Sequence, residues 1–171
     1  MLIGQFSSSN FTFRNLSNSK TSLEDYFHWI NDKYSNPFIE GSKKGYTMED
    51  IVKYVEEKNK SKYALLMGFF DKTSEKHAGN VKLEPIDRRF SSAWFGILIG
   101  NTAFRNRGFA KEIIDCFLEN TFLELGIKKY YLGVHQKNMP ARRVYLKCGF
   151  QDYAVQKNGG IHMVKEINPS G

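Results

Sequence analysis

The chain has 171 residues, 41% of them hydrophobic, which is enough for one compact domain with a buried core, and no Pro/Gly/Ser-rich linker divides it. Its 25 basic and 18 acidic residues give a formal charge of +7, which favours anionic partners such as phosphorylated cofactors, nucleotide-linked substrates or RNA-rich particles. The longest apolar runs, Ala64 to Phe70 and Trp94 to Ile99, fall far short of the ~20 residues that span a bilayer.

The first residues carry no basic stretch leading into an apolar one. Cys116 and Cys148 both fall on apolar helix faces, so a soluble cytoplasmic protein with reduced, buried thiols is expected. Phe11 to Arg14 alternates apolar and polar residues and predicts a short first strand. Leu23, Tyr26, Phe27 and Ile30 then recur at helical spacing behind Thr21 or Ser22 as N-cap, and Asn36-Pro37 stops the pattern. After the turn Gly41 to Gly45, Thr47-Met48-Glu49-Asp50 reads as a capping arrangement, with Met48, Ile51, Val52 and Val55 on one apolar face.

Tyr63 to Phe70, His77 to Pro85 and Ser92 to Ile99 are strands joined too closely for helical crossovers, so an antiparallel meander is expected. Gly96 predicts a bulge or a close backbone approach in the third of them. From Phe109 to Leu125 apolar residues step by threes and fours until Gly126, a strong helix with its stop. Lys129 to Val134 is a strand, and Ala141 to Cys148 a short helix with Pro140 near its start. Gln151 to Lys157 and Ile161 to Ile167 form a hairpin about Asn158-Gly159-Gly160, and Ile161 to Ile167 reads as an edge through which two copies pair as a homodimer. The order β-α-α-β-β-β-α-β-α-β-β defines an α+β class over residues 1–171, a single domain around one mixed sheet.

Between the strand that ends at Ile99 and the helix that starts near Phe109 lies Arg105-Asn106-Arg107-Gly108-Phe109-Ala110. Strand, basic turn and helix start gather backbone N–H groups and two guanidinium groups around one point, which suits a pyrophosphate. A Walker A loop and a dinucleotide fingerprint are both absent.

Arg105-x-x-Gly108-x-Ala110 resembles the acetyl-CoA pyrophosphate loop of the Gcn5-related N-acetyltransferase (GNAT) superfamily. Asn138 to Phe150, with Asn138, Tyr145 seven residues later and a terminal Gly149-Phe150, resembles that family's second motif. His77 to Leu83 and Gly96 to Gly100 look most like the RimJ/RimL-like branch of ribosomal-protein alanine acetyltransferases. The resemblance implies a twisted central sheet of about seven strands flanked by about four helices, with a cleft where two central parallel strands splay. It implies acetyl-CoA as donor, its arm along Ile97, Leu98 and Ile99, its pyrophosphate on Arg105, Asn106, Arg107, Gly108, Phe109 and Ala110, and Asn138 bonded to the arm. Tyr145 corresponds to the tyrosine that protonates the departing thiolate.

Many relatives carry a glutamate base where this chain has Trp94. Glu84, Asp87 and His135 are the candidates to replace it, with a water chain as a further route. Cys116 and Cys148 have no neighbouring base in the pattern, which disfavours a covalent acetyl-enzyme. His28, His77 and His162 are scattered without metal-ligand spacing, and no metal is expected.

The resemblance points to an amine acceptor, either a protein N-terminus or an amino sugar, nucleotide-linked or free. A polyamine is least favoured, since a +7 protein repels polycations. The loop Pro37 to Tyr46, Trp94 and the last hairpin are expected to choose the acceptor. The missing glutamate also leaves the alternative of a non-catalytic acyl-CoA-binding or regulatory module. Direct nucleic-acid binding is not expected, because the aromatics follow core periodicity and do not interleave with basic residues.

Overall fold

The structure is a computed structural model and describes residues 1–16, 19–38 and 45–169. The strands are β1 Phe6–Ser7, β2 Phe11–Asn15, β3 Leu65–Asp71, β4 His77–Asp87, β5 Ser92–Leu98, β6 Lys129–His135, β7 Gln151–Val155 and β8 Gly160–Glu166. The helices are α1 Lys20–Asn31, α2 Met48–Lys60, α3 Phe109–Leu125 and α4 Met139–Lys147. All eight strands form one sheet in the order β1-β2-β3-β4-β5-β6-β8-β7, antiparallel except where β5 meets β6.

Strand alternation divides the core between the two faces. Val81, Leu83, Phe95, Tyr130 and Met163 pack with Ile113, Ile114, Phe117 and Leu118 of α3. On the other face Leu66 and Phe70 pack with Leu23 and Tyr26 of α1 and Ile51 and Val55 of α2. The expected capping box is present: Asp50 N–H donates to Thr47 Oγ1 at 3.1 Å, and Thr47 N–H donates to Asp50 Oδ2 at 2.8 Å. α3 ends at Gly126, whose φ of 68° lies in the left-handed region that closes helices.

The eight strands agree with the expected count of about seven, the additional β1 being too short to show a sequence period and pairing with β2 through Phe6 and Phe13. Several expectations need correction. β8 lies between β6 and β7 and is hydrogen-bonded on both sides, so Ile161 to Ile167 is not an edge; β7 holds that position. The N-cap of α1 is Ser19, and Ser22 is buried against the core instead. Gly96 sits in regular register, while the irregularity between β4 and β5 falls between Leu83 and Ile86.

β6 is fastened to α3 by one buried polar node. Tyr130 Oη lies 2.8 Å from Thr121 Oγ1, 3.0 Å from Leu118 O and 3.1 Å from Ile127 O, all buried. Tyr130→Phe removes the hydroxyl and leaves Thr121 bonded to Phe117 O. The expected cost is about 1–2 kcal/mol, read as a melting temperature lower by roughly 3–6 °C in calorimetry.

Candidate active site

β5 and β6 are paired only from Ser92 and Lys129 to Trp94 and Tyr131. Beyond that point β5 stays with β4, β6 stays with β8, and the two inner edges diverge. A groove of about 580 Å³ opens there, walled by Ile97, Leu98 and Ile99 on one side and by Asn138, Val144 and Tyr145 of the α4 segment on the other. The start of α3 closes one end. Its N-cap is Gly108, with φ of 78° and no side-chain cap, so the first-turn N–H groups face the groove without a competing side chain. Asn106 also has positive φ, 55°, which gives this turn the curved backbone that anion sites use.

The two arginines of the turn have separate tasks. Arg105 Nε donates to Ile99 O at 2.7 Å, one terminal nitrogen to Ser35 O at 3.1 Å, and the other to Asn36 Oδ1 at 3.0 Å and Gly100 O at 3.3 Å. Its fork is thus spent on chain oxygens, and it clips the segment after α1 to the end of β5. Arg107 is exposed and makes one long bond to Ala103 O, at 3.4 Å. Of the two guanidinium groups expected at a pyrophosphate, Arg105 lines the groove with its donors already bonded, while Arg107 is exposed and outside the groove lining.

Asn138 is the N-cap of α4, its Oδ1 accepting from Ala141 N–H at 3.4 Å, and it remains in the groove wall. Tyr145 is half-buried, with its ring edge-on to Phe150 at 6.0 Å. Burial, with a smaller contribution from Cys148, pushes its phenol up to about 12, so it stays protonated through the neutral range. A protonated phenol in the groove is suited to give a proton to a thiolate.

The three candidate bases are already engaged. Glu84 pairs with Lys58 at 2.5 Å and Lys82 at 3.2 Å. Burial alone would raise its carboxyl, but the two ammonium groups hold it below the usual range. Asp87 grips Arg89 in the β4–β5 turn, at the end of β5 remote from the groove. His135 accepts from Lys137 N–H at Nδ1, 3.1 Å away, which occupies the lone pair that a base would use. Its ring stacks on Phe38 at 5.8 Å, so it meets the segment after α1 rather than supplying a free base. Trp94 packs between Tyr131 at 5.5 Å and His162 at 4.9 Å. No cluster of metal-ligand residues occurs among the described residues.

A second pocket, about 630 Å³, lies on the face covered by α1 and α2 and shares Ile97 and Leu98 with the groove. No local sequence pattern points to it, because its walls come from α1, α2, β3, β4 and β5. Tyr26 and Tyr54, Asn80 and Lys82 form its floor and sides; Asp50, Lys53 and Glu57 stand on the α2 rim. Gly96 belongs to it, and nothing lies within 4 Å of where a Cβ would sit, so the glycine keeps the passage beside β5 open. Of the loop Pro37 to Tyr46, residues 39–44 fall outside the described residues, Phe38 lines the groove and Tyr46 lines the second pocket.

A mixed sheet parted between two parallel strands, with an uncapped helix start and a tyrosine at the gap, defines a class of acyl-CoA-type fold. Residues 10–151 match the acetyltransferase (GNAT) domain model, and the chain belongs to that family. A spermidine N(1)-acetyltransferase of Vibrio cholerae serotype O1 is 32% identical over 93 residues, or 54% of this chain and 49% of that protein. The matched stretch therefore spans about half the length of that curated relative. The solved spermidine N-acetyltransferase from Vibrio cholerae, in complex with CoA and spermine, superposes with a TM-score of 0.81 at 23% identity, covering 92% of this chain and 96% of that one. RimL, a ribosomal alpha-N-protein acetyltransferase in complex with coenzyme A, gives 0.83 at 12% identity over 96% and 98%. These likenesses are of fold. No helix among the described residues is long and apolar enough to cross a membrane.

The division of labour between the arginines is measurable. Arg107→Ala is expected to weaken coenzyme A binding about 3- to 10-fold by calorimetric titration at low salt, with the gap narrowing as salt rises, and to leave the melting temperature unchanged. Arg105→Lys loses the planar fork, and the expected result is a lower melting temperature with or without coenzyme A.

Proposed function

We propose that this chain is an acetyl-CoA-dependent N-acetyltransferase in which a primary amine attacks the thioester directly within a ternary complex. The observation that carries the proposal is the meeting of two pockets at Ile97 and Leu98, where the sheet is parted. Acetyl-CoA is placed in the groove, its pyrophosphate at Gly108 to Ala110 beside Arg107 and its arm along Ile97 to Ile99 and Asn138. The amine enters from the α1/α2 face. The residues present fit this ligand, since an exposed strand edge and an uncapped helix start offer the donors that an amide-rich arm and a diphosphate accept.

The amine nitrogen bonds to the acetyl carbon, the carbon–sulfur bond breaks, the amine's extra proton passes to water, and Tyr145 protonates the sulfur. Backbone N–H groups on the open edge of β5 are placed to hold the developing oxyanion. Free carboxylates are not needed when the acceptor is an α-amine of pKa ~8, about one-tenth of which is neutral at pH 7.

For the acceptor, a protein N-terminus or an amino sugar, nucleotide-linked or free, is the reading we adopt. Lys53 and Lys82 offset Asp50 and Glu57 in the second pocket, so the pocket offers a polycation no net negative charge. A polyamine is the second reading, supported by the partial match to the spermidine enzyme. A single domain over residues 1–171 acting in the cytoplasm, without nucleic acid, completes the proposal. A homodimer, if formed, would use β7 rather than β8 as the sheet edge.

Thiol release from acetyl-CoA, followed across an amine panel, tests the activity; binding of acetyl-CoA with no release for any amine would leave only a binding module. Tyr145→Phe is expected to lower kcat about 100-fold with the KM for acetyl-CoA little changed. Because the phenol titrates near 12, the wild-type rate is expected to climb as the amine loses its proton and to show no decline from Tyr145 below that pH.

A further inference from the structure

Asn80 lies on β4 opposite Leu98 of β5, in the wall of the second pocket, and is 4% exposed. Chemistry fixes the orientation of its amide. His77 Nε2 is 3.1 Å from Gly79 O and 2.8 Å from Asn80 Oδ1. A backbone carbonyl only accepts, so Nε2 carries the proton, and the Asn80 atom beside it has to be the oxygen. The amide nitrogen is thereby turned away from His77, and Nδ2 has no hydrogen-bond partner.

His77 is itself held fast. Its ring sits 4.6 Å from both Trp29 and Phe70, stacked on the second, and burial lowers its pKa to about 4, so it stays neutral and keeps the same donor. A buried donor left unpaired is uncommon in native structures and calls for an explanation at that site. The side chain two residues on, Lys82, points from the same strand face and donates to Tyr54 Oη at 3.0 Å. On the β4 side the pocket thus presents two donor side chains, Asn80 and Lys82, with the carboxylates of Asp50 and Glu57 on the α2 rim. Asn80 lines the pocket while its Nδ2 is buried, so an oxygen has to settle into the floor to reach it.

We propose that Asn80, oriented by His77, selects the acceptor by donating from Nδ2 to an oxygen, carbonyl or hydroxyl, that the acceptor carries close to its amine. This rests on the transferase reading above and sharpens its acceptor class. An aminoacyl end or an amino sugar has such an oxygen. A protonated polyamine has only N–H donors and offers nothing for Nδ2 to bind.

The test uses the full chain and initial rates of thiol release with alaninamide, glucosamine, propylamine and spermidine, each expressed per neutral amine. The wild type is expected to favour the two oxygen-bearing acceptors by about tenfold or more in kcat/KM. Asn80→Asp replaces the donor with an oxygen and is expected to erase or reverse that preference, raising KM for alaninamide while leaving KM for acetyl-CoA in place. His77→Phe is expected to lose part of the preference, and His77→Gln, which keeps an N–H donor, to restore it. If Asn80→Asp does not hold its fold in a melt, Asn80→Ser supplies the same comparison. A wild type that prefers spermidine, or a folded Asn80 variant with an unchanged acceptor ratio, overturns the assignment of Asn80 alone. Absence of thiol release with every acceptor overturns the transferase reading and this one with it.

Discussion

The site depends on a parallel pairing that stops after Trp94 and Tyr131. Each strand is already satisfied on its outer edge, β5 by β4 and β6 by β8, so parting them costs only the inner ladder. The backbone groups freed on the inner edge of β5 face a groove rather than a partner strand, and buried groups of that kind require a ligand or water. α3 and α4 both begin at the mouth of the gap, which adds helix-start donors to strand-edge donors. The fold thus supplies a row of hydrogen-bonding groups with few side chains committed to it.

Arg105 anchors the chain just beyond β5. Its guanidinium ties the carbonyls of Ile99 and Gly100 to Ser35 and Asn36 in the segment after α1. Trp29 of α1 presses on Gly100 from the same side, where a Cβ would come within 1.9 Å of the indole. At its first residue, Arg105, the basic turn has a structural task as well as a place in the groove wall. Sequence alone does not separate these uses, since both need a fixed charge with several donors at the same position.

Long periodic segments were legible: α3 with its Gly126 stop, the capping box at Thr47 and the meander all appear where the spacing put them. The groove was legible too, because Gly108, Asn138 and Tyr145 lie in two short contiguous motifs. What the sequence hid was contributed by distant elements. β1 is two residues long, and the buried position of β8 depends on β7 passing outside it. The second pocket joins α1, α2, β3, β4 and β5, and no local pattern links Tyr26, Tyr54 and Asn80. The engagement of Glu84, Asp87 and His135 is likewise a matter of partners, Lys58, Arg89 and the Lys137 amide, that only the folded chain brings to them.

Those engaged bases and the donor at Asn80 bear on the same chemical question. With Glu84, Asp87 and His135 engaged, turnover near neutrality in the proposed reaction rests on how much of the acceptor is already a neutral amine. An α-amine next to a carbonyl titrates near 8, against about 10.4 for a lysine-like amine, a difference of more than a hundredfold in the neutral fraction at pH 7. The electron-withdrawing oxygen that lowers the amine pKa is the group that Nδ2 of Asn80 is placed to bind. One feature of the acceptor then serves both recognition and reactivity, and Trp94 can stand in the glutamate's place without removing the reaction. A polyamine offers neither the oxygen nor the lowered pKa, so its acetylation at this site would require a base other than Glu84, Asp87 and His135.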